Sequence, residues 1–315
     1  MNADKASFFL KNFIGKHDVE FTYGSKIIKI NVNKTAQNDL TVLKSRVDHF
    51  PEISELCILG PDTEENLSEI ATSIKNLLSL AFGRRITFDR HEYWYSGNKR
   101  QYIKIMSKNS NYGNQIIPDY MISNYLNLVL PNWVKLSIQE KDSLFVIFDY
   151  LNQTSEDFLE DRVLRTVQAW ECYGYYFFEE VKLPERFSSL RKQLKQTYKS
   201  WKAEVNFIDN GVLIQRILNS IDQEKLMAKY DKIIKESRLD PNKISLDFRS
   251  LKGLRDKVAH TGKIDLNSYS AHALLQSGVF GLQLILLKRL GYNDLIFAIE
   301  NNSRKAKKFD DYFEK

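Results

Sequence analysis

From about residue 117 onward, proline and glycine become sparse and apolar residues recur every three or four positions, so most of this stretch can fold only as helices that bury one face. That rhythm draws segments over roughly 118–128, 137–151, 155–180, 184–204, 210–220, 222–237, 245–261 and 267–290, with a short last one near 293–301. Long amphipathic segments with short connections fold as an antiparallel bundle. Neither a repeat of solenoid period nor a low-complexity stretch interrupts the pattern.

The residues before this point follow a different rule. "VEFTYGSKIIKINV" (19–32) is rich in β-branched and aromatic side chains around Tyr-Gly-Ser, which predicts a hairpin, and "ISELCILG" (53–60) predicts another strand. A helix follows, with Thr63 as its N-cap, Leu67, Ile70, Ile74, Leu77, Leu78 and Ala81 at helical spacing, and Gly83 at its end. "RITFDRHEYWYSGNKRQYIKIMS" predicts two more strands joined across Ser96-Gly97-Asn98. The expected fold class is therefore an α+β N-terminal domain followed by an all-α antiparallel helical bundle, predominantly helical overall. We expect domains at 1–140, sensing or positioning something, and 141–315, with Pro131 close to the transition.

A net charge of +6 and a pI near 9.0 make polyanions plausible partners. Cys57 and Cys172 lack metal-ligand or redox spacing and are expected as buried reduced thiols. The amino terminus lacks the pattern of a secretory signal, and "VFGLQLILLKRLG" (279–291) breaks at Lys288 too early to span a bilayer. The expected location is cytoplasmic, without a membrane partner.

The chemistry is concentrated in "LRDKVAHTGK" (254–263). Ser245 is a candidate N-cap of the helix that carries it; Leu246, Phe248, Leu251, Leu254 and Val258 supply burial, and Gly262 suits a left-handed C-cap. Arg255 and His260 then lie about 140° apart around the axis and ~7.5 Å apart along it, which makes them poor partners within one helix. Where two copies of the helix meet near a two-fold axis, each chain can give an Arg and a His to one shared cleft.

Such a cluster suits cleavage of a phosphodiester beside a ribose 2′-hydroxyl. A histidine titrating near neutrality can take the hydroxyl proton or protonate the leaving 5′-oxygen. An arginine fork can neutralise charge developing on the phosphorus oxygens. RNA brings its own nucleophile, so no metal or other cofactor is expected. The helix C-terminus favours a protonated imidazole, and Asp256 is placed to orient Arg255, His260 or their mates across the interface.

"RDKVAH" resembles the R-x4-6-H signature of HEPN domains, and "LRDKVAHTG" is similar to the Apea-like branch. "RVLRTVQAWE" (162–171) resembles a pattern on an earlier helix of that branch, and "LLSLAFGRRITFD" (77–89) is similar to the segment before its bundle. The resemblance implies an all-helical, dimerising, metal-independent endoribonuclease of the kind found in toxin or anti-phage systems, with RNA as substrate and an antitoxin or phage-derived trigger as a possible partner. Carried onto this chain, the catalytic residues are Arg255 and His260, with Asp256 at the polar position after the arginine. Asp256 departs from the commoner Asn, and Trp170 stands where the branch has Leu. The competing expectation is a catalytically silent helical module that binds RNA or protein.

Arg162, Glu171, Lys257 and Thr261 are expected as bracing or substrate-binding residues around that site. Glu171 and Arg162 are equally readable as an ordinary ion pair. In "RFSSLRKQLKQTYKSWK" (186–202) basic residues recur at three to four, so Lys195 and Lys199 form part of a positive stripe that can follow a phosphate backbone. His272, in the following helix, is expected to be packed or solvated rather than catalytic.

Overall fold

A computed structural model describes residues 2–13, 15–32, 54–96, 98–103, 115–153, 158–178, 185–201, 217–218, 226–264, 268–300 and 303–314. Its N-terminal part is a six-stranded antiparallel sheet in the order β2-β3-β4-β1-β5-β6, built from β1 (Ala3–Lys11), β2 (Val19–Tyr23), β3 (Lys26–Val32), β4 (Ser54–Asp62), β5 (Thr87–Tyr95) and β6 (Asn98–Ile103). Helix α1 (Glu64–Phe82) joins β4 to β5. Thr63 caps its start by accepting from the Asn66 N–H at 3.2 Å, and Gly83, at φ 57°, closes its end in a left-handed conformation. Ala6, Phe8 and Leu10 of β1 and Leu67, Ala71, Ile74 and Leu78 of α1 belong to the same buried core.

The central strand β1 carries no clean alternation. Ala6, Ser7 and Phe8 are all buried, so both faces are covered, and a period of two is blurred in the residues that need it most.

Past the sheet the chain is mainly helical: α2 (Ile122–Lys135), α3 (Ile138–Gln153), α4 (Leu159–Phe177), α5 (Glu185–Trp201), α6 (226–237), α7 (Phe248–Thr261) and α8 (Ser268–Arg289). Of the expected segment 210–220, only 217–218 is described, and it is helical; the first residues of 222–237 also lie outside the described residues. Pro131 sits inside α2, which begins through a 3-10 turn at Asp119–Met121 and continues to Lys135.

The expected helix over 293–301 is a strand instead. β7 (Leu295–Glu300) pairs with β8 (Ser303–Lys308), from Leu295 opposite Lys308 to Glu300 opposite Ser303. A short apolar run reads equally as buried strand or buried helix, and here the polar stretch "SRKAKK" supplies the partner that settles it. The hairpin is tied to the segment that precedes α2, since the Phe297 N–H donates to the Ile116 carbonyl at 2.7 Å, and the Ile116 N–H in turn donates to the Ala81 carbonyl of α1 at 2.8 Å.

By length and composition the span Tyr269–Arg289 of α8, with mean hydropathy 1.4, could cross a membrane. In this fold Leu275, Val279, Leu282, Leu284, Leu286 and Leu287 are buried among the other elements.

Candidate active site

Helix α7 starts later than the sequence predicts. Asp247, not Ser245, is its N-cap, accepting from the Ser250 N–H at 3.0 Å and the Ser250 hydroxyl at 2.6 Å. Ser245, at φ 53°, closes the preceding 3-10 turn Pro241–Ile244. A carboxylate at the cap both accepts the orphan N–H groups and complements the positive helix end, an advantage over a hydroxyl. Gly262, at φ 66°, ends the helix, its N–H donating to the Val258 carbonyl at 2.8 Å.

Phe248, Leu251, Leu254 and Val258 form the buried stripe of α7, and Arg255 and Asp256 lie half-buried beside it. The Arg255 guanidinium is held from two sides. One terminal nitrogen donates to Asp256 Oδ1 at 2.9 Å, and the other donates to Glu171 Oε1 on α4. The second oxygen of Asp256 accepts from Lys252 Nζ one turn earlier. The motif on α7 and the upstream stretch on α4, 84 residues away in sequence, are therefore joined by a direct ion pair.

His260 stands exposed in the last turn of α7, as does Lys257. Thr261 folds back on the helix end, donating to the Lys257 carbonyl at 2.8 Å and accepting from the Lys263 N–H at 3.2 Å. Its hydroxyl thus shapes the turn after His260.

Beneath this layer lies an aromatic group from three helices. Trp170 meets Phe248 edge-on at 4.5 Å, and Tyr230 of α6 stacks on Phe248 at 4.5 Å. Burial drives the Tyr230 hydroxyl well above its ordinary pKa; Glu171 and Asp256 raise it further, against a lowering by Arg255. Tyr230 is thus within electrostatic reach of all three charged groups. Neither it nor Lys252 is singled out by the sequence, although the Lys252–Asp256 spacing of four is a signal for such a pair.

Arg162 does not join the cluster. Nine residues before Glu171, it points about 180° away around α4 and lies ~13.5 Å along the axis. Its neighbour is His272 of α8, whose pKa is lowered by burial and then by the Arg162 charge. Burial also lowers Arg162 itself, and its Nε has no hydrogen-bond partner among the described residues. Lys195 and Lys199 are exposed on α5 and form neither a hydrogen bond nor an ion pair with the cluster among the described residues.

Among the described residues no group of three or more His, Cys, Asp and Glu side chains is placed to hold a metal ion. What the arrangement offers is a guanidinium held by two carboxylates and, separately on the same helix, an exposed imidazole in the last turn. Comparison of the chain with protein-family models, with curated proteins and with solved structures finds no match.

Proposed function

We propose that this chain is a metal-independent endoribonuclease of HEPN type, acting as a toxin or anti-phage effector through a composite site formed by two copies. The observation that carries the reading is the ion pair between Arg255 and Glu171, because it joins the two stretches of sequence on which the resemblance rests. In the proposed reaction Arg255 of one copy grips the scissile phosphate and stabilises the charge that develops as the 2′-oxygen attacks. His260 takes the 2′-hydroxyl proton or protonates the leaving 5′-oxygen, and Asp256 orients the guanidinium. The products are a 2′,3′-cyclic phosphate end and a 5′-hydroxyl end.

The second copy is proposed to pack on two exposed rings of α4, which is compatible with the exposure of this helix end. Tyr175, one turn beyond Glu171 on the same side of α4, is 75% exposed, and Tyr176 next to it is also exposed.

A second reading, the silent helical module, is favoured by one observation: both terminal nitrogens of Arg255 are already occupied by carboxylates. Three of the five guanidinium N–H groups are left for a phosphate, which would have to share Arg255 with the two carboxylates. The two readings separate in an RNA cleavage assay on the purified protein with EDTA present, analysed for cyclic phosphate ends. The enzyme reading expects cleavage that falls by about 10²- to 10⁴-fold in His260→Ala while the circular dichroism spectrum stays unchanged. A variant that cleaves as fast as the parent would remove His260 from the mechanism; a parent that never cleaves but still binds RNA would favour the module. Growth arrest on expression, lost with His260→Ala, is the expected result in cells.

A further inference from the structure

A cavity lies away from α7. It has a volume of about 490 Å³ and is bounded by α1, the β1–β5 part of the sheet and α3. For scale, a cavity of ~150 Å³ holds a benzene ring, and small-molecule sites run from ~300 to ~1,000 Å³. This one has room for a ring system together with a charged group.

Its lining has three kinds of side chain. Rings come from two elements: Phe8, Phe88 and His91 from the sheet, and Phe145 and Phe148 from α3. Phe8 lies 5.1 Å from Phe88 and 5.9 Å from His91, and Trp133 backs the other wall by stacking on Phe148 at 5.8 Å. The cations are Lys75 and Arg85, set against a single carboxylate, Asp149. Asp149 lies 4.0 Å from Arg85 and also accepts from Gln153 at 2.7 Å, so its negative charge is shared. Lys75 Nζ sits 5.7 Å above the Phe88 ring, which puts a positive charge and an aromatic face side by side.

The third kind is amide. Asn76 and Asn152 both line the cavity and are 7% and 5% exposed. The Asn76 side-chain nitrogen has no hydrogen-bond partner among the described residues. A buried donor without an acceptor costs stability, which a bound acceptor restores.

We propose that this cavity binds a nucleoside monophosphate. The base lies against the phenylalanine rings, an acceptor on its edge takes the Asn76 amide hydrogen, and the phosphate is met by Lys75 and Arg85. Rings recognise any base through its π face, the amide reads one edge, and the paired cations demand the anion. The N-terminal sheet region thereby gains a ligand of its own, distinct from the RNA gripped by α7.

The test uses the full chain with each of the four ribonucleoside 5′-monophosphates, measured by calorimetric titration and thermal unfolding, with adenosine and inorganic phosphate as comparisons. At least one monophosphate is expected to raise Tm by several degrees at ~100-fold excess over its Kd. Neither comparison compound does so at the same concentration. Lys75→Glu and Arg85→Glu, both changes near the protein surface, are expected to weaken binding by about tenfold or more without altering the circular dichroism spectrum. Asn76→Ala weakens it too. The Arg255→Ala, His260→Ala double variant binds like the parent, and loss of binding there would move the ligand to α7 and overturn the proposal. It is equally overturned if all four monophosphates leave Tm unchanged, if adenosine binds as tightly as its monophosphate, or if both charge reversals leave the affinity intact.

Discussion

Arg255 divides its guanidinium between Glu171 and Asp256, and the partly exposed surroundings decide how firmly. Its side chain is 27% exposed and that of Glu171 31%, so solvent screens the pair and its coupling is expected to be at most about 1 kcal/mol. A double-mutant cycle with Arg255→Ala and Glu171→Ala, followed by urea unfolding, measures this directly. A weak hold is what a phosphate clamp needs, because the incoming anion can displace a carboxylate at small cost. Under the ribonuclease reading, Arg255→Lys keeps the charge, loses the fork and is expected to cut cleavage by about 100-fold, whereas a silent module would bind RNA almost unchanged. His272 gives a second expectation at this scale. Burial and Arg162 lower its pKa below 6.5, so the unfolded chain takes up this proton at a higher pH than the folded one. The stability it permits is fully present above the unfolded value and is lost as pH falls through it. Between about pH 7 and about pH 5, Tm of the parent should fall more than that of His272→Gln. Equal slopes would show that this ring is solvated in both states. The candidate residues Arg255, Asp256 and Glu171 were legible because motif and upstream helix could be read together; Tyr230 was not, since its role depends on α6 folding over α4 from 59 positions beyond Glu171.

Helices α4, α7 and α8 can approach closely because α8 carries Gly278 where they meet. A Cβ there would stand 2.8 Å from Leu251 Cδ2 and 3.0 Å from Thr166 Cγ2, and the Gly278 carbonyl accepts from Trp170 Nε1 at 2.9 Å. Gly278→Ala is therefore expected to cost about 1–3 kcal/mol, outweighing the helix propensity of alanine. Combining it with Leu251→Ala removes the obstructing methyl, so the double variant should lose less stability than the two single losses added together. Strict additivity in urea unfolding would mean that the clash is relieved elsewhere. Such contacts have no local signature: a glycine in an apolar helix reads only as a weak helix former. The ends of elements show the same division. Thr63 and Gly83 announce α1 because their partners are within four or five residues. β7 was not legible as a strand, because its identity rests on pairing with β8 rather than on its own period.

At the scale of the whole molecule, sheet and helices share one core. A continuous cluster of buried side chains runs from Ala3 through Trp133 and Trp170 to Phe313. Polar contacts cross it as well: the Tyr125 hydroxyl donates to the Leu77 carbonyl at 2.9 Å, and Asn132 Nδ2 donates to the Leu290 carbonyl at 2.9 Å. The change of periodicity near residue 117 made the two architectures legible, but no pattern within either half shows the surface through which they join. On the helical side the shared core is closed by residues 309–313. Phe309, Tyr312 and Phe313 are buried, Lys288 Nζ lies 4.0 Å over the Phe313 ring, and the Asp240 N–H donates to the Tyr312 carbonyl at 2.9 Å just before the turn that leads into α7. Burying each ring contributes about 1.5–3 kcal/mol, so a chain ending at Lys308 should lose several kcal/mol, a large share of the ~5–15 kcal/mol typical of a folded protein. Its urea midpoint should fall sharply. Because the core is continuous, the loss should reach the sheet as well as the helices, with tryptophan fluorescence and far-ultraviolet circular dichroism moving through one coincident transition. Two separated transitions, with the sheet persisting after the helices melt, would instead mean that the shared core couples the halves too weakly for the tail to stabilise both.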